Sequence, residues 1–301
     1  MGIAGIVNQC RARIFLTTTT FTVEQPRRRI VKMTEAARKW PRISVASRIA
    51  ATLALIVGLG MLSGARADEA AAKSLFKAMS DYMAAQNTIS LSYDTNLEMV
   101  TKDKQKLALA SSGMITLNRP DKIRATRQGG FADIEMVFDG KTLTLLKKSG
   151  NLYGQVDVPG TIDHLIDELR SKHNRPVPGA DLLMSNIYNH LMSDVIDVKD
   201  LGSGVIGGIE CDHLAFRTKE VDWQIWIAQG ARPYPCRYVI TSKLVSGAPQ
   251  YSVQVREFKA GNEVASDDFS FKNPTNAKKV DLKDLSDTDE LPKLFTSGGS
   301  K

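Results

Sequence analysis

Between residues 89 and 99 the chain alternates without a break. Ile89, Leu91, Tyr93, Thr95, Leu97 and Met99 are separated by Ser90, Ser92, Asp94, Asn96 and Glu98. A period of two sends each set to its own face, so this stretch must form a long strand with one apolar side. Shorter runs of the same character follow at 107–117, 122–127, 132–138, 142–147 and 152–156. Between them lie the turn sequences Arg119-Pro120-Asp121, Gln128-Gly129-Gly130, Asp139-Gly140 and Ser149-Gly150-Asn151. Strands joined by such short links pair antiparallel, as a meander.

Helical spacing occurs three times. Leu75, Phe76, Met79, Tyr82 and Met83 define one face of a helix over 68–86, with Asp68 and Glu69 in its first turn. Ile162, Leu165, Ile166 and Leu169 do the same for 161–172, and Leu182, Leu183, Ile187, Tyr188 and Leu191 for 180–192. Pro176-Val177-Pro178-Gly179 breaks the chain between the last two. Strands resume at 205–217 around Gly207-Gly208, then at 222–228, 236–244, 251–259 and a short 268–271. The charged, Ser/Asp-rich tail beyond Lys278 is expected to be mobile. The fold class is therefore mainly β (α+β), a curved antiparallel sheet whose concave face is closed by an N-terminal helix and a two-helix lid. One domain over 68–280 and a flexible 281–301 account for the pattern.

Ahead of this domain stands the apolar run 49–62, led by Arg38, Lys39, Arg42 and Arg48 and followed by Ser63-Gly64-Ala65-Arg66-Ala67. A basic lead, a short apolar stretch and small residues at Ala65 and Ala67 make a secretory signal peptide over 33–67, with cleavage after Ala67 and a periplasmic destination. The run falls short of the roughly 20 apolar residues a membrane span needs. Residues 1–32 precede a complete signal peptide and read as an over-extended start. Residues 1–67 hold eleven basic and two acidic side chains, so the net charge of +7 becomes −2 for the 234 residues that remain. The basic balance belongs to the leader, and nucleic-acid binding has no support.

Cys10 leaves with the leader, which leaves Cys211 and Cys236. An exported pair invites a disulfide, whereas an ideal meander sets them two strand spacings apart, roughly 10 Å and beyond disulfide reach, so the pattern leaves the bridge open. Motifs of catalysis are missing: no Gly-x-Ser-x-Gly, His-Glu-x-x-His, phosphate-binding glycine loop or Cys-x-x-Cys occurs. Four histidines exist, and His164 and His173 are spaced so that they do not share a helix face. His213 shares a strand face with Cys211, a thin basis for a metal site and a better one for an ordinary cross-strand contact. Asp267-Asp268 and Glu220 with Asp222 sit at turns, where carboxylates are normally solvated. No enzyme, cofactor or metal is expected.

The segment Gly113-Met114-Ile115-Thr116-Leu117-Asn118-Arg119-Pro120-Asp121-Lys122-Ile123-Arg124 resembles a motif of the outer-membrane lipoprotein carriers of the LolA-like superfamily. Phe138-Asp139-Gly140-Lys141-Thr142-Leu143 resembles that superfamily's next hairpin, and Phe269-Ser270-Phe271-Lys272-Asn273-Pro274 its closing strand. Cys211-Asp212-His213-Leu214-Ala215-Phe216-Arg217, followed by Asp222-Trp223-Gln224-Ile225-Trp226-Ile227, is similar to a family of predicted periplasmic proteins within it. The resemblance implies an incomplete β-barrel with a helical lid over a hydrophobic cavity that takes lipid or lipoprotein acyl chains. It also implies that Arg119 ties the lid to the sheet. The chain is longer than a typical carrier, and its 211–227 segment is not a carrier feature.

Alternation and helical spacing nominate Leu91, Leu97, Ile134, Met136, Phe138, Leu143, Leu183, Ile187, Trp223 and Ile225 as the lining of one apolar volume, with Arg119 as its latch. The expected partner is a lipid or a lipoprotein acyl chain bound by a monomer, without nucleic acid. The rival expectation is a ligand-free module, packed solid, that assists an envelope protein partner.

Overall fold

The computed structural model describes the backbone over residues 50–285, apart from 102, 131–132 and 173–176, and side chains from residue 68. Residues 1–32, the basic part of the leader, His173 and the tail 286–301 lie outside the described residues.

Among the described residues, twelve strands form a single sheet in the order β12-β6-β5-β4-β3-β2-β1-β11-β10-β9-β8-β7. The first half is a meander: β1 (Thr88–Val100), β2 (Lys106–Asn118), β3 (Lys122–Gly129), β4 (Asp133–Phe138), β5 (Thr142–Lys147) and β6 (Leu152–Asp157). The second half runs β7 (Asp197–Ile206), β8 (Ile209–Arg217), β9 (Val221–Ala228), β10 (Pro235–Ser242) and β11 (Gln250–Ala260). The last of these returns to pair antiparallel with β1, Ile89 opposite Ala260 and Leu97 opposite Tyr251. This is the curved antiparallel sheet that the alternation requires.

Helix α1 spans Ala50–Ala85, so it begins well before the expected start at Asp68 and runs through the expected cleavage point. Its inward face, Ala72, Phe76, Met79 and Met83, is fully buried on the concave side of the second half-sheet. Full burial of side chains like these contributes about 1.5–3 kcal/mol each. Among the described residues, no helix is long and apolar enough to cross a membrane. Helix α2 (Ile162–Ser171) starts where Thr161 caps it, its Oγ1 accepting from the His164 backbone N–H at 3.2 Å.

Three expectations need correction. The single helix over 180–192 is a 3-10 turn at Ala180–Leu183 and a separate short α3 at Ile187–Met192. Asp163 of α2 accepts from the Ser185 backbone N–H at 3.0 Å and from its hydroxyl, which holds the chain extended at Met184 and interrupts the helix. No strand forms at 268–271. The Asp267 and Asp268 carboxylates accept from the N–H groups of Phe269 and Ser270, at 2.7 and 3.0 Å, and Phe269 takes φ 51°, so two Asx turns replace the extended backbone. Part of the chain beyond Lys278 is built onto the sheet. Lys278–Lys279 form β12, parallel to the edge of β6, and Leu285 is buried against Gly154. A strap over 261–285 therefore crosses the outside of the first half-sheet and folds around its edge. Arg124 of β3 fastens it, donating from Nε to Asp267 at 2.7 Å and from Nη2 to the Ser270 carbonyl at 3.1 Å.

Candidate functional site

Cross-strand register writes the concave face of the first half-sheet as rows. The innermost is Leu117–Ile123–Phe138–Leu143–Val156, and beside it lies Leu91–Ile115–Ala125–Met136–Leu145–Gly154. A third row is Tyr93–Gly113–Arg127–Ile134–Lys147. Beyond it stand Thr95 with Ser111, whose hydroxyls are bonded at 2.7 Å, and then Tyr251–Leu97–Leu109. Burial along this face is not monotonic: beyond the part-buried third row, Thr95, Ser111 and Tyr251 are buried again. Leu117, Phe138 and Leu143 are sealed, whereas Ile115, Met136, Ile134, Leu97 and Leu109 keep part of their surface accessible.

The nominated residues divide accordingly. Leu91, Phe138, Leu143, Leu183, Ile187, Trp223 and Ile225 are buried in one continuous cluster with α1, α2 and α3. Leu97 and Met136 pack against that cluster while half-buried, and Ile134 is half-buried on the same side of β4 as Met136 and Phe138. Trp223 sits in the most solid part. Phe216 stacks on it at 3.8 Å, and Phe76 of α1 approaches it at 5.3 Å. Two polar atoms in this region, Trp223 Nε1 and Tyr238 Oη, are buried without a hydrogen-bond partner. Burial pushes the Tyr238 phenol well above its ordinary value, with the Asp181 charge adding to it.

Arg119 follows directly on β2, next to the lid. Its Nη2 donates to the Met184 carbonyl at 3.5 Å, and Pro120 accepts from the Ile162 N–H at 2.8 Å. Desolvation pulls the guanidinium pKa down while the Asp163 charge opposes the shift. Within the lid, Asp181 of the 3-10 turn is almost completely buried. It contacts Arg170 of α2, and its Oδ1 lies 3.0 Å from His190 Nε2 of α3. Burial raises the Asp181 pKa, but the His190 hydrogen bond and the Arg170 charge outweigh it and hold the carboxyl below its usual range. Sequence reasoning missed this triad, because its members come from three elements with no common spacing. Ser80 of α1 completes the attachment by accepting from the Tyr188 N–H at 3.0 Å.

The outer face holds two further features that the pattern did not announce. The strap covers a pocket of about 490 Å³, lined by Thr144, Gln155, Asp157, Phe269, Phe271 and Lys279 among others. On the second half-sheet His213 stacks on Trp226 at 4.0 Å, and its Nε2 lies 2.9 Å from Gln224 Oε1. The structure also corrects the 10 Å separation expected for Cys211 and Cys236. Both are free thiols, and they are buried in one small cluster with Ala228, Cys211 Sγ donating to the Ile209 carbonyl at 3.4 Å and Cys236 Sγ to the Tyr234 carbonyl at 4.0 Å. The register of β10 slips between Pro235 and Arg237, which moves Cys236 off the ideal meander position.

Residues 72–283 match the family of predicted periplasmic proteins DUF2092. The chain belongs to this family. No curated protein matches it in sequence. Among solved structures it is similar to LprF from Mycobacterium bovis, at 11% identity and TM-score 0.41 over 68% of this chain and 97% of that one. MucB in the Pseudomonas aeruginosa MucA/MucB complex matches at 11% identity and TM-score 0.38, over 66% of this chain and only 60% of the other. A LolA superfamily protein from Nitrosomonas europaea matches at 10% and TM-score 0.32, over 64% and 94%. At these TM-scores the likenesses carry no weight on ligand or partner.

Proposed function

We propose that this DUF2092 member is a periplasmic protein, released from its leader after Ala67, that binds the acyl chain of a lipid or lipoprotein on the concave face of its first half-sheet. The observation that carries the reading is a set of apolar side chains on that face that keep part of their surface accessible. Next to the sealed Leu117, Phe138 and Leu143, the side chains of Ile115, Met136, Ile134 and Leu97 are only half-buried. Each methylene laid on such a surface gains about 0.8 kcal/mol. The lid is tied down by Arg119, braced by the Asp181 triad, and packed through Leu165, Leu183 and Ile187 into the same apolar cluster as α1, so lifting it costs apolar burial as well as polar contacts. The protein acts as a monomer and performs no catalysis in this reading.

Native mass spectrometry of the protein recovered from the periplasm tests it. Co-purified lipid is expected, and Ile134→Ala should reduce occupancy while costing less than the roughly 2–5 kcal/mol of a packed site. A protein that never carries lipid, and that loses several kcal/mol on Ile134→Ala, overturns the reading. The second reading, a ligand-free module that assists an envelope protein, is favoured by the complete burial of Phe138, Leu143, Ile187 and Ile225. Those residues leave no free surface for a ligand at the inner rows.

A further inference from the structure

We infer that Cys211 and Cys236 are joined by a disulfide when the chain folds in an oxidising compartment, forming a covalent staple on the outer face of the second half-sheet. Their strands are not neighbours, since β9 runs between β8 and β10. Two local features bring the two side chains into one cluster. The residue opposite Cys211 is Ala228, whose methyl leaves the space above β9 open. The register slip between Pro235 and Arg237 takes Cys236 out of the alternation that sends Tyr238 and Ile240 into the concave core. Cys236 instead joins Cys211 and Ala228 in a separate small cluster, packed by Ile206, Ile209, Trp226 and Tyr234. Both cysteines are essentially inaccessible, at 0% and 1% exposure, and the remaining cysteine, Cys10, precedes the apolar run. The pair thus has no competing thiol in an exported chain.

The reaction is thiol–disulfide exchange. Each thiol gives up its proton, one S–S bond forms, and the two electrons reduce the disulfide of a small-molecule or protein exchange partner to two thiols. Burial raises both thiols, Cys236 to about 12, so the folded dithiol offers little thiolate to attack a disulfide. Exchange therefore belongs to the folding chain, before β10 seats on β9, and the folded structure then shields the bond from reductants.

The test uses the full chain exported by its own leader. Periplasmic protein is acid-quenched, unfolded, treated with a maleimide, and examined by intact mass and peptide mapping. A control portion is reduced before alkylation. The expected result is no adduct on the exported protein, two on the control, and a linked peptide pair containing Cys211 and Cys236. Folded protein, verified by its strand circular dichroism, that takes two adducts without prior reduction overturns the inference. So does a mixed disulfide with a small thiol on either residue. Lipid occupancy is read separately by native mass spectrometry, so failure here leaves the acyl-chain reading untouched.

Discussion

Gly113 opens the motif that runs into Arg119, and the structure supplies its reason. A Cβ there would stand 2.0 Å from the Thr126 carbonyl oxygen and 2.7 Å from the Tyr93 ring, because Tyr93 lies across β2 to donate from Oη to Thr126 at 2.9 Å. Gly113→Ala should cost about 1–3 kcal/mol through displacement of that ring and the β3 backbone, measured by urea unfolding. Tyr238 should behave in the opposite way. Its hydroxyl is buried without a partner, so Tyr238→Phe removes an uncompensated polar group and should be neutral or stabilising. A clear loss of stability would show that the hydroxyl is satisfied, by a buried water or a ligand. Neither effect is readable from sequence, since both depend on which atoms the fold brings opposite each other.

At the level of elements, the strands were legible and the lid only partly so. Alternation located β1 through β6 because one face of each strand meets a core and the other meets solvent or the strap. It failed at 268–271, where Phe269 and Phe271 also alternate, because Asp267 and Asp268 offer the backbone closer partners than a neighbouring strand does. The apolar spacing over 180–192 looked helical although Asp163, eighteen residues upstream of Asp181, decides the local conformation. The lid's polar brace gives a pH signature. The Asp181 pKa is depressed in the folded protein, so its contribution is fully present above the unfolded value of about 3.9 and is lost as pH falls through the folded pKa. Asp181→Asn should cost roughly 3–5 kcal/mol near neutral pH, because it leaves the part-buried Arg170 without its buried counter-charge. That difference should shrink in strongly acidic solution, as followed by urea midpoints across pH. A pH-independent cost would mean that packing, and not charge, accounts for the loss.

For the whole molecule, the C-terminal strap shows how a sequence with little pattern can still be structural. Arg124 joins it to β3 through Asp267 and to β4 through Glu135 at 2.6 Å, while Leu285 fills the space that Gly154 leaves. Arg124→Gln should weaken this attachment by about 1.5–3 kcal/mol. Faster hydrogen exchange over 267–285, with β1 and β2 unchanged, is the expected outcome; uniform acceleration throughout the sheet would tie Arg124 to global stability instead. The seam between β1 and β11 has a further consequence, and it concerns time. β1 is the first strand synthesised and β11 the last long one, yet they lie side by side at the centre of the sheet. Closing so long a loop is the most entropically costly pairing in the fold, so the two half-sheets should each protect their amides before the seam does in a pulse-labelled refolding experiment. Until then β1 waits with one edge bare, a template for association with other chains. The concave face gains its last wall only when the C-terminal end has arrived, so on the acyl-chain reading proposed above a ligand is captured by a finished molecule and not by a nascent one.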